Sequence, residues 1–261
     1  MEIVKSATHW IDSPPFTRLP KELSLPYATP NCSTPEEIAA FYRSWKSDST
    51  FYNLSNGCCF LALSHEGENP AYPRSIVVMD DIFCLFSGAL DNTCDLRRHY
   101  GLSRQSSEAM IIVEAYKVLH DRAPYPPDQV IKELKGKFAF ILFDSKAATV
   151  FLARDREGSV QLHWGTAGDG SLVCTDDPNV ISATCGKCYT PFPPGCMFMS
   201  ESGVMSFDHP LNKVRGIRRE DDEGKVCAIV FQVDLFTRLQ SIPRSGSASN
   251  WANPTVVEGG D

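Results

Sequence analysis

Arg154-Asp155-Arg156-Glu157 is the densest patch of chemically capable side chains in the chain, and Gly158 closes it. An arginine guanidinium is a planar fork of donors, so two in one turn could hold a carboxylate or another anion. Ion-pair networks also serve structure, and the same cluster at the end of a buried hairpin would make a salt-bridged turn. A second constellation is Cys185-Gly186-Lys187-Cys188, whose spacing suits zinc or a redox pair. Zinc needs further ligands, and the sequence holds no second Cys-x-x-Cys and no His-x-x-x-His. A thioredoxin-like site would need a strand-to-helix setting that Tyr189 to Pro194 does not supply, so no metal site is assigned. His120 closes a helical stretch, but no nucleophile is tied to it. Asp176-Asp177, just before Pro178, reads as a turn cap. Phosphate loops, Ser-His-Asp patterns, H-E-x-x-H pairs and EF-hand loops are absent from the sequence, and no cofactor is expected.

The elements that must position these side chains follow from hydrophobic periodicity. Lys137 to Asp144 and Thr149 to Ala153 are apolar runs joined by a polar turn, which predicts a β-hairpin buried on both faces. Val160 to Trp164 and Ser171 to Thr175 extend it to an antiparallel meander of four strands, with a turn at Gly168 to Gly170. Upstream, Thr34-Pro35-Glu36-Glu37 has the cap, proline and acids of a helix start, and Ile38, Phe41 and Trp45 share one face. Strands are expected at Cys58 to Leu63, Ser75 to Met79 and Ile82 to Phe86, the last two joined through Asp80-Asp81. Thr93 to His99 predicts a short helix leading into Tyr100-Gly101-Leu102. Ser106 or Ser107 caps the clearest helix, Glu108 to His120, with Ile111, Ala115, Val118 and Leu119 as its buried stripe. A further helix spans Asp128 to Leu134, and Met197 to Phe207 makes another hairpin before a last strand at Val226 to Val233. Arg215 to Arg219, followed at once by Glu220 to Glu223, reads as a solvated, self-neutralising loop. The fold class is α+β. The expected organisation is an irregular segment over 1–34, with a short strand at Met1 to Lys5, a folded domain over 35–234 and a disordered tail over 235–261.

At 261 residues and 43% hydrophobic content the chain can bury a sizeable core. A net charge of −7 argues against a nucleic-acid surface. No run approaches the roughly 20 apolar residues that cross a bilayer. No secretory signal precedes the ten cysteines, which read as reduced thiols of a cytoplasmic compartment, with the nucleus as a second one.

The frame LKGKFAFILFD…TVFLARDREG…LHWG…DGSLVCTDD resembles the glutaminase domain of class II glutamine amidotransferases such as asparagine synthetase. DDIFCLFSGALDN, EAYKVLHDRAPYPPDQV, FAFILFD and SFDHP, in that order, resemble the plant aluminium-induced proteins named for YGL and LRDR motifs. The resemblance covers about Pro35 to Asp234 and implies an Ntn-hydrolase αββα sandwich, in which two antiparallel sheets pack between helix layers.

Class II enzymes attack glutamine with an N-terminal cysteine whose own α-amino group is the base. This chain begins Met1-Glu2-Ile3. The family's Asn-Gly-Glu, whose asparagine and glycine help form the oxyanion hole, matches Ser87-Gly88-Ala89. The substrate-binding Asp that opens the central helix matches the Ser106 to Glu108 region, which holds no Asp, and Arg74 stands near the substrate-clamping arginine. The resemblance therefore implies a degenerate pocket at Arg74, Ser87, Gly88, Ser107 and Glu108, without glutaminase activity but open to an amino-acid-like ligand. Tyr100-Gly101-Leu102 matches YGL in full. Leu119-His120-Asp121-Arg122 carries histidine where the family has arginine, and both motifs flank the central helix as structural boundaries. In asparagine synthetase the stretch matching Arg154 to Glu157 lies where the glutaminase domain meets its partner domain, which implies a scaffold or interface role.

The expected function is a non-catalytic, stress- or metabolism-linked binding or interaction protein with an unidentified protein partner or self-association. The alternatives are a glutaminase whose cysteine is exposed by processing at Asn31-Cys32, and a Cys-x-x-Cys metal or redox protein. Against the former, Cys32 precedes a helix cap rather than starting a strand.

Overall fold

The computed structural model describes residues 2–5, 49–54, 59–65, 68–122, 127–166, 172–209, 211–220, 224 and 226–236. Expectations for the helix from Thr34, for Cys32 and Cys58, for the turn at Gly168 to Gly170 and for the tail beyond 236 lie outside these residues.

The central hairpin forms as its sequence predicts. β6 (Gly136–Asp144) and β7 (Thr149–Arg154) are antiparallel, and Asp144 organises the turn by accepting hydrogen bonds from the Lys146 and Ala147 amides at 3.0 Å each. Alternate side chains of β6 serve two cores. Phe138, Phe140 and Leu142 face the helices, whereas Ala139, Ile141 and Phe143 face the opposite sheet. β5 (Ile82–Leu90) divides likewise, with Cys84 and Phe86 on one side and Phe83 and Leu85 on the other. A strand buried on both faces has no use for polar alternation, which is why these segments read as unbroken apolar runs.

β6 and β7 belong to a six-stranded antiparallel sheet in the order β12-β11-β7-β6-β5-β4, where β4 is Arg74–Met79, β11 Cys196–Met199 and β12 Gly203–Ser206. A second six-stranded sheet has the order β10-β8-β9-β1-β3-β2. Its members are β1 (Glu2–Lys5), β2 (Ser49–Leu54), β3 (Cys59–Ser64), β8 (His163–Thr166), β9 (Leu172–Thr175) and β10 (Tyr189–Pro191). The expected four-stranded meander is therefore corrected: β6–β7 and β8–β9 lie in different sheets. Trp164 of β8 packs on Phe192 and Phe198 in the core between the sheets, and that burial holds β8 away from β7.

On the outer face of the first sheet lie α1 (Thr93–His99), α2 (Glu108–His120) and α3 (Pro127–Lys132). Ile111, Ala115 and Leu119 of α2 are buried as expected, together with Ile112, Val113 and Tyr116, while Val118 is only half-buried. The Tyr116 hydroxyl donates to buried Asp144 at 3.1 Å, which ties the helix to the β6–β7 turn. Against the other sheet packs α4 (Pro178–Cys185), a helix the sequence reading missed. Asp177 is its N-cap, accepting from the Asn179 amide at 2.9 Å, with proline at the start of the first turn. The layers run helix, sheet, sheet, helix, as the α+β sandwich requires.

The Arg215–Arg219 stretch is also corrected. It lies in β13 (Lys213–Glu220), which pairs with β14 (Val226–Asp234) in a separate two-stranded ribbon. Val214, Phe231 and Val233 pack on the core between the sheets, and burial of this face settles the strand despite the charges on β13.

Candidate functional site

Three of the degenerate-pocket positions come together on the β4–β5 hairpin. Asp80 and Asp81 turn this hairpin with φ of 53° and 67°, the left-handed pair that a tight two-residue connection needs. The register places Arg74 opposite Ser87. Arg74 reaches the other sheet, where its Nε donates to Asp176 at 2.9 Å and its Nη1 to the Ser64 carbonyl at 2.8 Å. Its backbone amide donates to Glu68. Burial opposes ionisation of Asp176, yet the positive charge beside it, including Arg74, outweighs this and holds its carboxyl below the usual aspartate range.

The other pocket groups are similarly occupied. The Ser87 hydroxyl is buried and donates to the Tyr72 carbonyl at 3.5 Å. The Gly88 amide donates to the Pro73 carbonyl at 3.0 Å. Gly88 sits at φ +134°, and a Cβ there would lie 2.1 Å from the Lys137 carbonyl oxygen, so close approach of β5 to β6 demands glycine. Ser107 and Glu108 stand instead at the start of α2. Ser107 caps it by accepting from the Met110 amide at 3.3 Å, and Glu108 adds an acid to its first turn.

The two naming motifs are helix ends. The Gly101 amide donates to Arg98 at 3.3 Å and the Leu102 amide to Arg97 at 2.7 Å, with Gly101 at φ +67°. This is a Schellman termination of α1. Tyr100 fixes it to the chain after α3, its hydroxyl donating to Glu133 at 2.6 Å, and Leu102 packs on the helix-side core. Leu119 is buried at the end of α2, His120 stacks on Tyr116 at 5.5 Å, Asp121 is the C-cap, and the Arg122 amide returns to the Leu119 carbonyl.

Arg154 and Asp155 form a buried clamp. The guanidinium donates to the carbonyls of Val160 (2.6 Å), Phe192 (2.8 Å) and Gly158 (2.6 Å). The Asp155 carboxylate accepts from the amides of Phe138 (3.3 Å), Glu157 (2.9 Å) and Ser159 (3.0 Å). Arg154 thus directs three donors at backbone carbonyls and Asp155 accepts chiefly from backbone amides, so the pair holds this turn together. Arg156 and Glu157 are exposed, and Arg156 pairs with Asp208 at 3.0 Å.

Cys185 ends α4 and Cys188 lies on the turn after it, both buried. Among the described residues no three His, Cys, Asp or Glu side chains gather as a metal site needs. Two residues have surroundings that the sequence does not disclose. Asp176 reads in sequence as a turn cap, whereas its carboxylate meets Arg74 across the gap between sheets. His163, opposite Thr175 in the register, carries a buried Nδ1 with no hydrogen-bond partner among the described residues. Burial, followed by the charge of Arg154, lowers its basicity, against the opposing pull of Asp176 and Asp177. Only the long-range pairing of β8 with β9 brings His163 there, and no local motif signals that.

Comparison with known proteins bears on this arrangement. A stem-specific protein of Nicotiana tabacum, TSJT1, is 72% identical over 140 residues, covering 52% of this chain and 93% of the tobacco protein. A probable glutamine-hydrolysing asparagine synthetase of Dictyostelium discoideum is 37% identical over 120 residues, covering 44% of this chain and 21% of the synthetase. The chain thus spans about a fifth of that synthetase's length. Among solved structures, a glutamine phosphoribosylpyrophosphate amidotransferase from B. subtilis aligns over 60% of this chain and 36% of its own, at 19% identity and a TM-score of 0.42. The sequence profile of the aluminium induced protein family matches residues 12–233, and the chain belongs to that family.

Proposed function

We propose that this protein is a non-catalytic relative of the glutaminase domain that works as a stress- or metabolism-responsive binding or interaction protein of plants. The observation that carries this reading is the occupation of the pocket. Arg74 is committed to Asp176 and Ser64, the Ser87 hydroxyl to Tyr72, and the Gly88 amide to Pro73. An oxyanion hole works through donors aimed at the developing charge, and loss of one such donor costs about 100- to 1000-fold in rate. Ser107 is engaged in helix capping and Glu108 stands in the first turn of α2, where the resemblance would put the acid that orients substrate. The sandwich is retained while these donors have become part of its hydrogen bonding.

The test is glutamate release from glutamine by the purified full chain, beside calorimetric titration with glutamine, glutamate, asparagine and aspartate. No turnover is expected. Turnover abolished by Cys32→Ala would establish a processed glutaminase and overturn the reading.

A further inference from the structure

A cavity of about 380 Å³ opens on the helix side of the first sheet, away from the Arg74–Asp176 contact. One wall is the stretch from Leu134 to Lys137, which leads from α3 into β6. Asn92 fixes it, accepting from the Lys135 amide at 3.1 Å and donating to the Glu133 carbonyl at 2.9 Å, and the Asp91 amide donates to the Lys135 carbonyl at 2.8 Å. The opposite wall is the turn at Asp155 to Glu157, held by the clamp described above. Phe138 and Phe207 lie between them, and both belong to the helix-side core. Neither wall has to fold around a ligand, so the ordering cost of binding is already met.

The charge at the mouth is opposite to that of the whole molecule. Lys132, Lys135, Lys137 and Arg156 line the cavity, against the carboxylates of Asp91 and Glu157. The remaining acid in the lining, Asp155, accepts from backbone amides and keeps its negative charge, so the lining holds four cations against three acids. Lys135 and Lys137 stand on either side of Gly136, whose own Cβ position would lie 2.3 Å from the Ala89 carbonyl. That contact pins the backbone between the two lysines. Lys132 and Arg156 have partners in Asp128 and Asp208, but both pairs are exposed and contribute little. A chain of net charge −7 therefore gives this lining a small excess of cations around an aromatic floor.

From this geometry we infer that the cavity is a binding site for a small organic anion, with its charged head between Lys135, Lys137 and Arg156 and an apolar body on Phe138 and Phe207. The volume lies within the range of about 300–1,000 Å³ found for small-molecule sites. This site is separate from the degenerate pocket, so it stands or falls independently of the glutaminase question.

Phenyl phosphate, benzoate and inorganic phosphate are the probes, each titrated calorimetrically into the full chain. Saturable binding of phenyl phosphate or benzoate is expected, and the preferred one identifies the head group. Inorganic phosphate should bind more weakly because it leaves the aromatic floor uncovered. Lys135→Gln with Lys137→Gln should weaken binding about tenfold or more while leaving thermal unfolding unchanged. If that variant is unstable, the wild-type affinity must fall steeply with added salt. Absence of saturable binding, equal affinity for inorganic phosphate, or affinity indifferent to both the lysines and salt would overturn the proposal.

Discussion

Replacing Arg154 with methionine keeps the apolar stem in place and removes the guanidinium, leaving the carbonyls of Gly158, Val160 and Phe192 without their donor. Hydrogen bonds from a charged donor contribute about 1.5–3 kcal/mol each. Against their loss stands the several kcal/mol regained when a buried cation no longer has to be desolvated. The balance should leave a net loss of about 3 kcal/mol, because the three carbonyls lose their donor. For a chain of this size each kcal/mol moves the melting temperature by about 2–4 °C, so the midpoint should fall by roughly 10 °C. Arg154→Lys keeps the charge, but one ammonium cannot span three carbonyls, and it should lie between methionine and wild type. Equilibrium urea unfolding of the three proteins, followed by circular dichroism, measures the differences. If Arg154→Met lies within about 0.5 kcal/mol of wild type, as neutral surface changes do, the clamp is not a stabilising element and the reasoning fails.

Other consequences can be checked independently. Asp176 is depressed below its unfolded value, so its interaction with Arg74 stabilises the fold above that value and is lost as pH falls through the folded one. The stability deficit of Arg74→Met should therefore be greatest near neutrality and shrink below about pH 4, as melting curves across pH would show. His163 is also depressed; its stabilising preference for the neutral ring is complete above about pH 6.5 and lost as pH falls below it. His163→Gln should flatten the decline in melting temperature between about pH 7 and pH 5. Burial pushes the Cys196 thiol up to about 12, whereas Cys94 is exposed. Iodoacetamide at about pH 8 should label Cys94 and spare Cys196 in peptide maps until the protein is unfolded. Gly101→Ala should cost about 1 kcal/mol by straining the end of α1, whereas Gly88→Ala should prevent folding, because its Cβ meets the β6 backbone.

Local signals carried much of the architecture. α2 begins and ends where its cap and periodicity placed it, and the β6–β7 hairpin follows its two apolar runs. The YGL glycine was legible as a boundary because a left-handed helix end needs such a residue. What stayed hidden depended on pairing between distant segments. β13 looked like a charged loop because nearly all of it is exposed, and its strand form comes from pairing with β14. α4 was too short to show periodicity, although Asp177-Pro178 carried its start signal. Asp176 and His163 acquire their surroundings only when β9 pairs with both β1 and β8. Resemblance drew attention to Arg74, Ser87 and Gly88, but no periodicity could disclose how their donors are used.

β1 lies between β3 and β9, with Glu2 opposite both Ala62 and Thr175. The sheet that carries α2, by contrast, pairs β4, β5, β6 and β7 in the order of synthesis. On a ribosome, that sheet can begin to assemble as its hairpins emerge, but β1 must wait for β9 before both of its edges are covered. Closing so long a loop is entropically costly and slow compared with hairpin pairing. Until then, a nascent chain displays an open seam at the centre of its second sheet. Translation arrested before Leu172 would leave that seam permanently unpaired, an adhesive edge for chaperones or for other stalled chains.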